Sequence, residues 1–309
     1  MILSRRVLLS LLLPAFFVFV SGCSERAYFT RRSFTMGTFL EVTCPSENGT
    51  KIVFEEFKRL EGILSNFSDT SEVSRLNKTG RLYVGRELKA LIKKSIQVSR
   101  ESNGAFDITC APLVDIWKKA IHDKVLPEKK EINRALSLVG YKNIYIDENT
   151  GLVIFLKKNM AIDLGAIAKG FAIDSAIEKL KALGVNSALI NAGGEIYCLG
   201  TRSGRPWKVA IQDPRKSKDT IAVLPLSNKA ISTSGDYQQF FEIKDKRYSH
   251  IIDPHTGYPV DNGLIQVTVV ADDATTADFL STAVFVLGEK EGLKLTKKFN
   301  ATKVRIVRQ

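Results

Sequence analysis

The chain has 309 residues, 44% of them hydrophobic and 25% charged, with a formal net charge of +12. This composition is ordinary for a globular protein with a sizeable core, and it fits one large domain or two small ones. The positive charge has two interpretations. The lysines are solvated residues on helix surfaces, or they attract anionic lipid or a phosphate-bearing ligand. The sequence has no zinc-knuckle spacing and no aromatic–basic RNA motif, so we expect no nucleic-acid partner.

The first residues of the chain have the features of an export signal. Arg5 and Arg6 precede an apolar stretch over residues 7–20, and small residues stand directly before Cys23. This arrangement resembles the bacterial lipobox, in which the cysteine becomes the lipidated first residue of the mature protein. A plain signal peptide and an uncleaved anchor helix are the alternatives, although the stretch is short for a membrane span of roughly 20 apolar residues.

We therefore predict two segments with different fates. Residues 1–22 form a lipoprotein signal peptide, and residues 23–309 form the mature domain. Lipidation of Cys23 would anchor that domain to the outer, periplasmic face of the cytoplasmic membrane.

In the first part of the mature chain, the apolar pattern predicts a strand followed by helices and further strands. Residues 28–43 have the pattern of one strand, in which Gly37 marks a bulge or a close backbone approach. Asp107 lies between apolar residues after a flexible glycine, so it is either a ligand clamp or a helix cap. Helices are predicted over 51–64, 88–102 and 131–138, and strands over 144–147 and 152–156.

The stretch from Asp163 to Asp174 is predicted to be a junction between a strand and a helix. An apolar run ends at Asp163, and the apolar residues that follow recur at helical intervals. With Gly165 at the start and Lys169 in the first turns, the junction offers backbone N–H groups and a cation to an anionic ligand. It is neither a Walker loop nor a dinucleotide fingerprint, because the glycine spacing differs. An ordinary turn with a surface lysine is the alternative.

The second half of the chain mixes strands and helices without a regular strand–helix–strand period. This order predicts a single α+β domain, in which helices cover mixed or antiparallel sheets, rather than a doubly wound parallel sheet. Polar and glycine-rich motifs fall repeatedly at strand ends and helix starts, where they are placed to converge on one crevice. Strands are predicted over 187–190, 207–212, 221–226, 230–233, 240–243, 248–251, 266–271 and 303–307, and helices over 275–287 and 293–299.

Two local patterns in this half suggest chemistry. Asp278 and Thr282 stand four residues apart on one helix face, and with a backbone carbonyl they make an all-oxygen set suited to Mg²⁺ or Ca²⁺. An exposed aspartate with a threonine inside the helix is the alternative. His250 near Asp253 is suited to act as a general base or to stabilise a leaving phosphate, and a half-exposed strand histidine is the alternative.

Eight motifs, taken in order, resemble those of the ApbE family, and together they cover essentially the whole mature chain. Members of this family are FAD:protein FMN transferases, usually exported bacterial lipoproteins. The motifs are Thr35–Thr38, Gly104–Asp107, Asp163–Asp174, Asn191–Glu195, Ile211–Pro214, Ser232–Tyr237, Ser249–Pro254 and Ala277–Thr282.

The resemblance implies a T-fold-like α+β domain that binds FAD in a crevice, with Mg²⁺ on its diphosphate. The FMN half of FAD would pass to a threonine hydroxyl of a target protein, with release of AMP. Subunits of respiratory sodium- or electron-pumping complexes are the acceptors that the family suggests. Metal-dependent hydrolysis of FAD to FMN and AMP, and flavin binding without catalysis, are the alternatives.

The resemblance also assigns roles to single residues. The metal would be held by the Ala166 carbonyl with Asp278 and Thr282, and by Ser281, where some members have an acidic residue. His250 is similar to the histidine proposed to assist transfer, and either it or Asp253 would take the threonine proton. The FAD contacts implied are Met36, Phe67, Ala105, Phe106, Asp107, Asp163, Lys169 and Ile252.

The sequence departs from the family pattern at a few positions of the site. Ala166 stands where many members have glycine, and Glu195 where many have aspartate. Ile108 and Cys110 stand where proline and valine are frequent. These changes concern the fine geometry of the site and not the class of protein.

Overall fold

The computed structural model describes residues 27–216, 218–236, 240–243 and 246–309. The predicted signal peptide and Cys23 lie outside these residues, as does Tyr237 of one motif. In chain order the elements are β1 (Phe29–Thr35), β2 (Thr38–Cys44), α1 (Glu47–Leu64), α2 (Glu72–Thr79), β3 (Arg81–Tyr83), α3 (Arg86–Glu101), α4 (Ala111–Asp123), α5 (Lys129–Leu136), β4 (Ile144–Ile146), β5 (Leu152–Phe155), α6 (Ala168–Ala182), β6 (Ala188–Ala192), β7 (Glu195–Leu199), β8 (Trp207–Gln212), β9 (Thr220–Leu226), β10 (Lys229–Gly235), β11 (Phe240–Ile243), β12 (Lys246–Ser249), β13 (Leu264–Ala271), α7 (Ala274–Lys298) and β14 (Lys303–Arg308).

The main sheet has seven strands in the order β1-β2-β6-β7-β10-β13-β14, and each neighbouring pair is antiparallel. Helix α7 packs on β10 and β13, and α6 packs between α7 and α1. Three smaller sheets, β3-β5-β4, β8-β9 and β11-β12, surround this body. The predicted α+β class with antiparallel sheets and covering helices is therefore confirmed.

Strand β13 shows why the sheet has a layer on each face. All eight of its residues are buried, so both faces of the strand need cover. Helix α7 covers one face, and the β8–β9 hairpin covers the other with Trp207, Val209 and Ile211, which alternate with exposed residues along β8. This alternation is the period-2 pattern of a half-buried strand.

Three departures from the sequence predictions concern local backbone geometry. The segment predicted as one strand over 28–43 is a hairpin, because Met36 and Gly37 take positive φ values of 49° and 73° and form its turn. Strand β5 ends at Phe155, and the residues before α6 are irregular rather than extended up to Asp163. Helix α4 was not predicted. The two helices predicted over 275–287 and 293–299 form one element, α7, which is interrupted between them by the non-helical φ of 75° at Gly288.

No helix in the part of the chain that the structure describes is long and apolar enough to span a membrane.

A buried ion-pair network joins α1 to α6. The Glu56 side chain is fully buried and accepts two hydrogen bonds of 2.8 Å from Arg59. Ser175 and Lys179 of α6 also donate to this carboxylate. The Arg59 guanidinium, with Lys179 and Ser175, overcomes the effect of burial and holds the pKa of Glu56 at about 2. The network therefore stabilises the helix pair on which the start of α6 depends.

We expect Glu56→Gln to lower the free energy of unfolding at pH 7 by about 3 kcal/mol, since the pKa of Glu56 in the folded state lies well below its ordinary value. The stabilisation by this carboxylate is complete above the ordinary pKa of 4.5 and is lost as the pH falls towards 2. Urea denaturation at pH 7 and pH 3 measures the difference, which should shrink at the lower pH. Glu87→Gln removes the more exposed partner of Arg59 and should cost less than about 1 kcal/mol. An equal loss at both pH values would contradict the assignment.

Candidate active site

The starts of α6 and α7 meet at Gly170. The Gly170 N–H donates a 2.9 Å hydrogen bond to Oδ2 of Asp278. A Cβ atom at this position would lie 2.4 Å from the Ala274 carbonyl oxygen and 2.8 Å from Cβ of Asp278. Only glycine permits so close an approach, and the approach brings the predicted anion-binding turn of α6 against the predicted metal ligand of α7.

Asp174 fixes the start of α7 from one turn further along α6. Its two carboxylate oxygens accept from the backbone N–H groups of Ala274 and Thr275, at 2.7 and 2.8 Å. These N–H groups have no partner within their own helix, so the carboxylate caps α7. Burial raises the pKa of Asp174 to about 6. Asp174, the last residue of the Asp163–Asp174 motif, therefore positions α7, a role that the sequence pattern did not indicate.

The predicted metal ligands of α7 lie in a cluster of oxygen atoms. Asp278 is 2% exposed, and burial raises its pKa. Oγ of Ser281 lies 2.8 Å from Oγ of Ser234 on β10 and donates to the Asp278 carbonyl, and Ser234 lies 3.2 Å from Oγ1 of Thr282. The described residues contain no group of three or more His, Cys, Asp or Glu side chains able to hold a metal. One carboxylate with hydroxyl and carbonyl oxygens is a hard donor set, which suits Mg²⁺ or Ca²⁺ and not zinc.

Lys169 lies among carboxylates next to this cluster. Its Nζ is 3.5 Å from Oε1 of Glu195 and 3.4 Å from the Gly165 carbonyl oxygen. Burial opposes the charge of the lysine, but Glu195, Asp278 and Asp163 outweigh burial, so the pKa of Lys169 lies above its ordinary value. Lys169 is therefore a charged, partly buried ammonium at the start of a helix, as the sequence predicted.

Met36 occupies the turn of the β1–β2 hairpin. Glu61, from the last turn of α1, accepts a 2.7 Å hydrogen bond from the Met36 N–H and a 3.0 Å hydrogen bond from the Thr35 hydroxyl. This carboxylate holds the backbone of Met36 in its positive-φ conformation. The sequence prediction missed Glu61, since nothing in its helical surroundings indicates a contact so distant in the chain.

The aromatic residues implied as FAD contacts differ in exposure. Phe67 is 83% exposed, and the Lys118 ammonium lies 5.1 Å from its ring centre. Phe106 is buried, and its ring packs against that of Phe279, the residue that follows Asp278. Ala105 is buried as well. Phe67 therefore presents an open face for stacking, whereas Phe106 joins its loop to α7.

Asp107 and Asp163 both act on the backbone around them. Asp107 accepts from the Thr109 N–H and hydroxyl through Oδ1, and from the Tyr141 N–H through Oδ2. Burial raises its pKa, although these bonds oppose the rise. Of the two interpretations of Asp107, the cap is the one its contacts support. Asp163 accepts from the Gly165 N–H at 2.7 Å and shapes the turn before α6.

His250, Ile252 and Asp253 lie in the segment directly after β12. His250 is exposed. Ile252 is buried in a separate apolar cluster with Leu113 and Trp117 of α4. Asp253 Oδ1 accepts from the His255 backbone N–H at 2.9 Å and lies 3.1 Å from Nδ1 of that histidine.

His255 connects this segment to the Gly104–Asp107 motif. Its Nε2 lies 2.8 Å from the Asn103 carbonyl oxygen. His255 was not among the predicted site residues, although its place directly after Asp253-Pro254 was the available signal. The structure thus joins these two motifs through His255, and joins Lys169, Asp278, Ser281 and Thr282 through the α6–α7 contact. The individual roles in FAD and metal binding stay predictions.

These features define an α+β protein in which a partly buried lysine and a cluster of oxygen atoms lie together where two helices begin. The comparison with known families identifies it further. The chain belongs to the ApbE family, whose model matches residues 36–306.

Curated relatives and solved structures agree with this assignment. The chain is 33% identical over 295 residues to the FAD:protein FMN transferase of Haemophilus influenzae, covering 89% of this chain and 85% of the relative. It is 32% identical to that of Vibrio cholerae, covering 90% and 87%. The crystal structure of the ApbE protein of Thermotoga maritima superposes with a TM-score of 0.84 at 34% identity, covering 91% and 94%. The flavin transferase ApbE of Vibrio cholerae gives 0.81 at 29% identity, covering 91% and 94%.

We expect Gly170→Ala to lower the free energy of unfolding by about 3 kcal/mol, because the added methyl group would overlap the backbone of α7. Thermal and urea denaturation measure the change. Gly62→Ala, on an exposed part of α1 where a Cβ would meet nothing, is the matched control and should stabilise by about 0.5–1 kcal/mol. If the two variants were equally stable, the α6–α7 contact would not be as close as described.

Proposed function

We propose that the protein transfers FMN from FAD to a threonine hydroxyl of a target protein and releases AMP. The threonine oxygen forms a bond to the phosphorus of the FMN half, and the bond from that phosphorus to the AMP oxygen breaks. The threonine proton passes to a base on the enzyme. The observation that carries the proposal is the charged Lys169 beside the oxygen atoms of buried Asp278 and Ser281 and of half-buried Thr282, because a diphosphate needs both cationic groups and fixed geometry to react.

Different residues would bind different parts of FAD. Lys169 at the start of α6 would hold oxygens of the diphosphate through its ammonium group. Phe67 would stack on a ring of FAD, because its face is open to solvent. Asp107, Asp163 and Glu61 keep the surrounding turns in place through the hydrogen bonds described above.

The oxygen cluster fits Mg²⁺. The Ala166 carbonyl, the Asp278 carboxylate and the Ser281 and Thr282 hydroxyls would hold the ion, and Asp278 supplies the single negative charge of this set. When bound, the ion would neutralise charge that develops on the diphosphate. Ser281 already contacts Ser234, so β10 supports the ligands from the sheet side.

His250 is the residue that would take the threonine proton. It is exposed, so a large acceptor protein can reach it. Asp253 Oδ1, the alternative base, is already engaged by the backbone and ring of His255. A neutral imidazole suits proton transfer near neutral pH. We assign Asp253 the role of holding the segment after His250 in place.

The acceptor is a threonine-bearing protein that is exported or lies in the membrane, such as a subunit of a respiratory electron-transfer complex. We propose that Cys23 carries the lipid that anchors this protein to the outer face of the cytoplasmic membrane. The motif before Cys23 supports this location.

Intact-mass spectrometry tests the reaction. The segment from Ser24 onward is mixed with FAD, Mg²⁺ and a candidate acceptor, and we expect the acceptor to gain the mass of one FMN while AMP is released. Asp278→Asn retains an oxygen for the Gly170 N–H but removes the charge, so the rate should fall about 100-fold or more. Asp272→Asn, on an exposed residue nearby, should leave the rate unchanged.

The other outcomes decide between the alternatives. FMN and AMP without a modified acceptor, for every acceptor tried, would indicate an FAD pyrophosphatase. Intact FAD throughout, with FAD bound, would indicate a flavin-binding protein. Full activity of Asp278→Asn would overturn the metal assignment.

Labelling of cells with radioactive palmitate tests the anchor. We expect the full chain to incorporate the label and Cys23→Ser to incorporate none, because the thiol is the site of acylation. Cys110→Ser retains Cys23 and should be labelled like the original chain. Labelling of the Cys23→Ser protein would refute lipidation at this residue.

A further inference from the structure

Glu195 is a buried carboxylate to which the reaction outlined above gives no task. The residue is 7% exposed, and its Oε1 lies 3.5 Å from Nζ of Lys169. Its Oε2 is buried and has no hydrogen-bond partner among the described residues. A buried carboxylate oxygen without a partner destabilises a fold. Such a group at the edge of a ligand site points to a task in ligand binding.

The backbone holds Glu195 firmly in this position. It is the first residue of β7 and pairs with Ala192 across a tight turn. Gly193 in that turn has a φ of +70°, and a Cβ there would lie 2.1 Å from the Thr38 hydroxyl oxygen, so the turn is packed against β2. The Gly194 N–H donates to the Asn191 side chain. The glutamate side chain therefore extends from a rigid corner of the main sheet towards the start of α6.

Two carboxylates, those of Glu195 and Asp278, are available to pair with the Lys169 ammonium. Glu195 and Asp278 both raise its pKa, so both act on the ammonium. A lysine paired with Asp278 would occupy the carboxylate that the proposed cation needs. A lysine paired with Glu195 leaves Asp278 available and keeps its own charge next to the start of α6.

We propose that Glu195 is a positioning residue that holds the Lys169 ammonium towards the diphosphate and away from Asp278. This inference rests on the proposed function, and it assigns Glu195 a role in FAD binding that acts through Lys169. It explains why a carboxylate is buried there at a cost in stability.

FAD affinity in the absence of metal provides a test. Simple charge effects and the proposal predict opposite changes in this affinity for Glu195→Gln. Glu195→Gln removes a negative charge near an anionic ligand, so electrostatics alone would tighten FAD binding. If Glu195 instead positions Lys169, the lysine turns to Asp278 and FAD binding weakens about tenfold, the loss expected for one charge-assisted hydrogen bond. Quenching of flavin fluorescence at fixed pH and salt measures the affinity.

A double-mutant cycle shows whether the effect passes through the lysine. In the Lys169→Met background, Glu195→Gln should change FAD affinity less than about twofold, because the residue it positions is gone. Binding of Mn²⁺ without FAD, followed by electron paramagnetic resonance, gives a second readout. Glu195→Gln should weaken Mn²⁺ binding about tenfold in the original chain and much less in the Lys169→Met background, since the lysine then no longer competes for Asp278.

The conservative variant keeps the proposal testable if the glutamine variant is unstable. Glu195→Asp retains the charge and should bind FAD within about threefold of the original chain. Unchanged or tighter FAD binding by Glu195→Gln, or an equal loss in both lysine backgrounds, would overturn the positioning role. A wild-type chain that binds no FAD would instead refute the proposed function, and the two failures are therefore distinguishable.

Discussion

The close contact of α6 and α7 at Gly170 is the constraint on which the rest of the site depends. It places the Gly170 N–H on Asp278 and sets the two helix starts side by side. Asp174 repeats the connection one turn later by capping α7. The sheet below supports both helices, because α7 packs on β10 and β13 while α6 is tied to α1 through Glu56. A shift of either helix would separate the lysine from the oxygen cluster.

This contact also concentrates charge in a buried place. Asp278 and Glu195 both have pKa values raised by burial, and Lys169 is the cation beside them. In contrast, Glu56 is equally buried but accepts bonds from two cations, and its pKa is lowered. The direction of the pKa shift therefore distinguishes Glu56, which stabilises the fold, from Asp278 and Glu195, whose negative charge is not fully compensated by the described residues. Perturbed carboxylates of the second kind gather at functional sites.

Part of this arrangement could be predicted from the sequence, because it is local. Lys169 follows Asp163 in the same short motif, and Asp278 and Thr282 share a helix face through their spacing alone. The contacts of Glu61 with Met36 and of Glu56 with Lys179 join residues far apart in the chain, where periodicity carries no information. The hairpin turn at Met36 was missed because methionine rarely adopts a positive φ, so its side chain does not indicate a turn. Asp107 allowed two interpretations until its three hydrogen bonds were known.

The residues assigned to FAD, the cation and the acceptor differ in exposure, and in the proposed reaction this difference would favour a protein acceptor over water. The groups assigned to the diphosphate and the cation are Lys169, which is partly buried, and Asp278, which is buried. Phe67 and His250, assigned to the flavin ring and to the acceptor proton, lie on the surface. In the proposed reaction, FAD bound along this path would fill the opening above the diphosphate. The hydroxyl of a docked protein would then meet His250 at the rim, and the bound flavin would reduce the access of water to the phosphorus. The same catalytic groups would serve hydrolysis if that cover were lost, so the balance between the two reactions depends on how the surface residues hold the flavin and the acceptor.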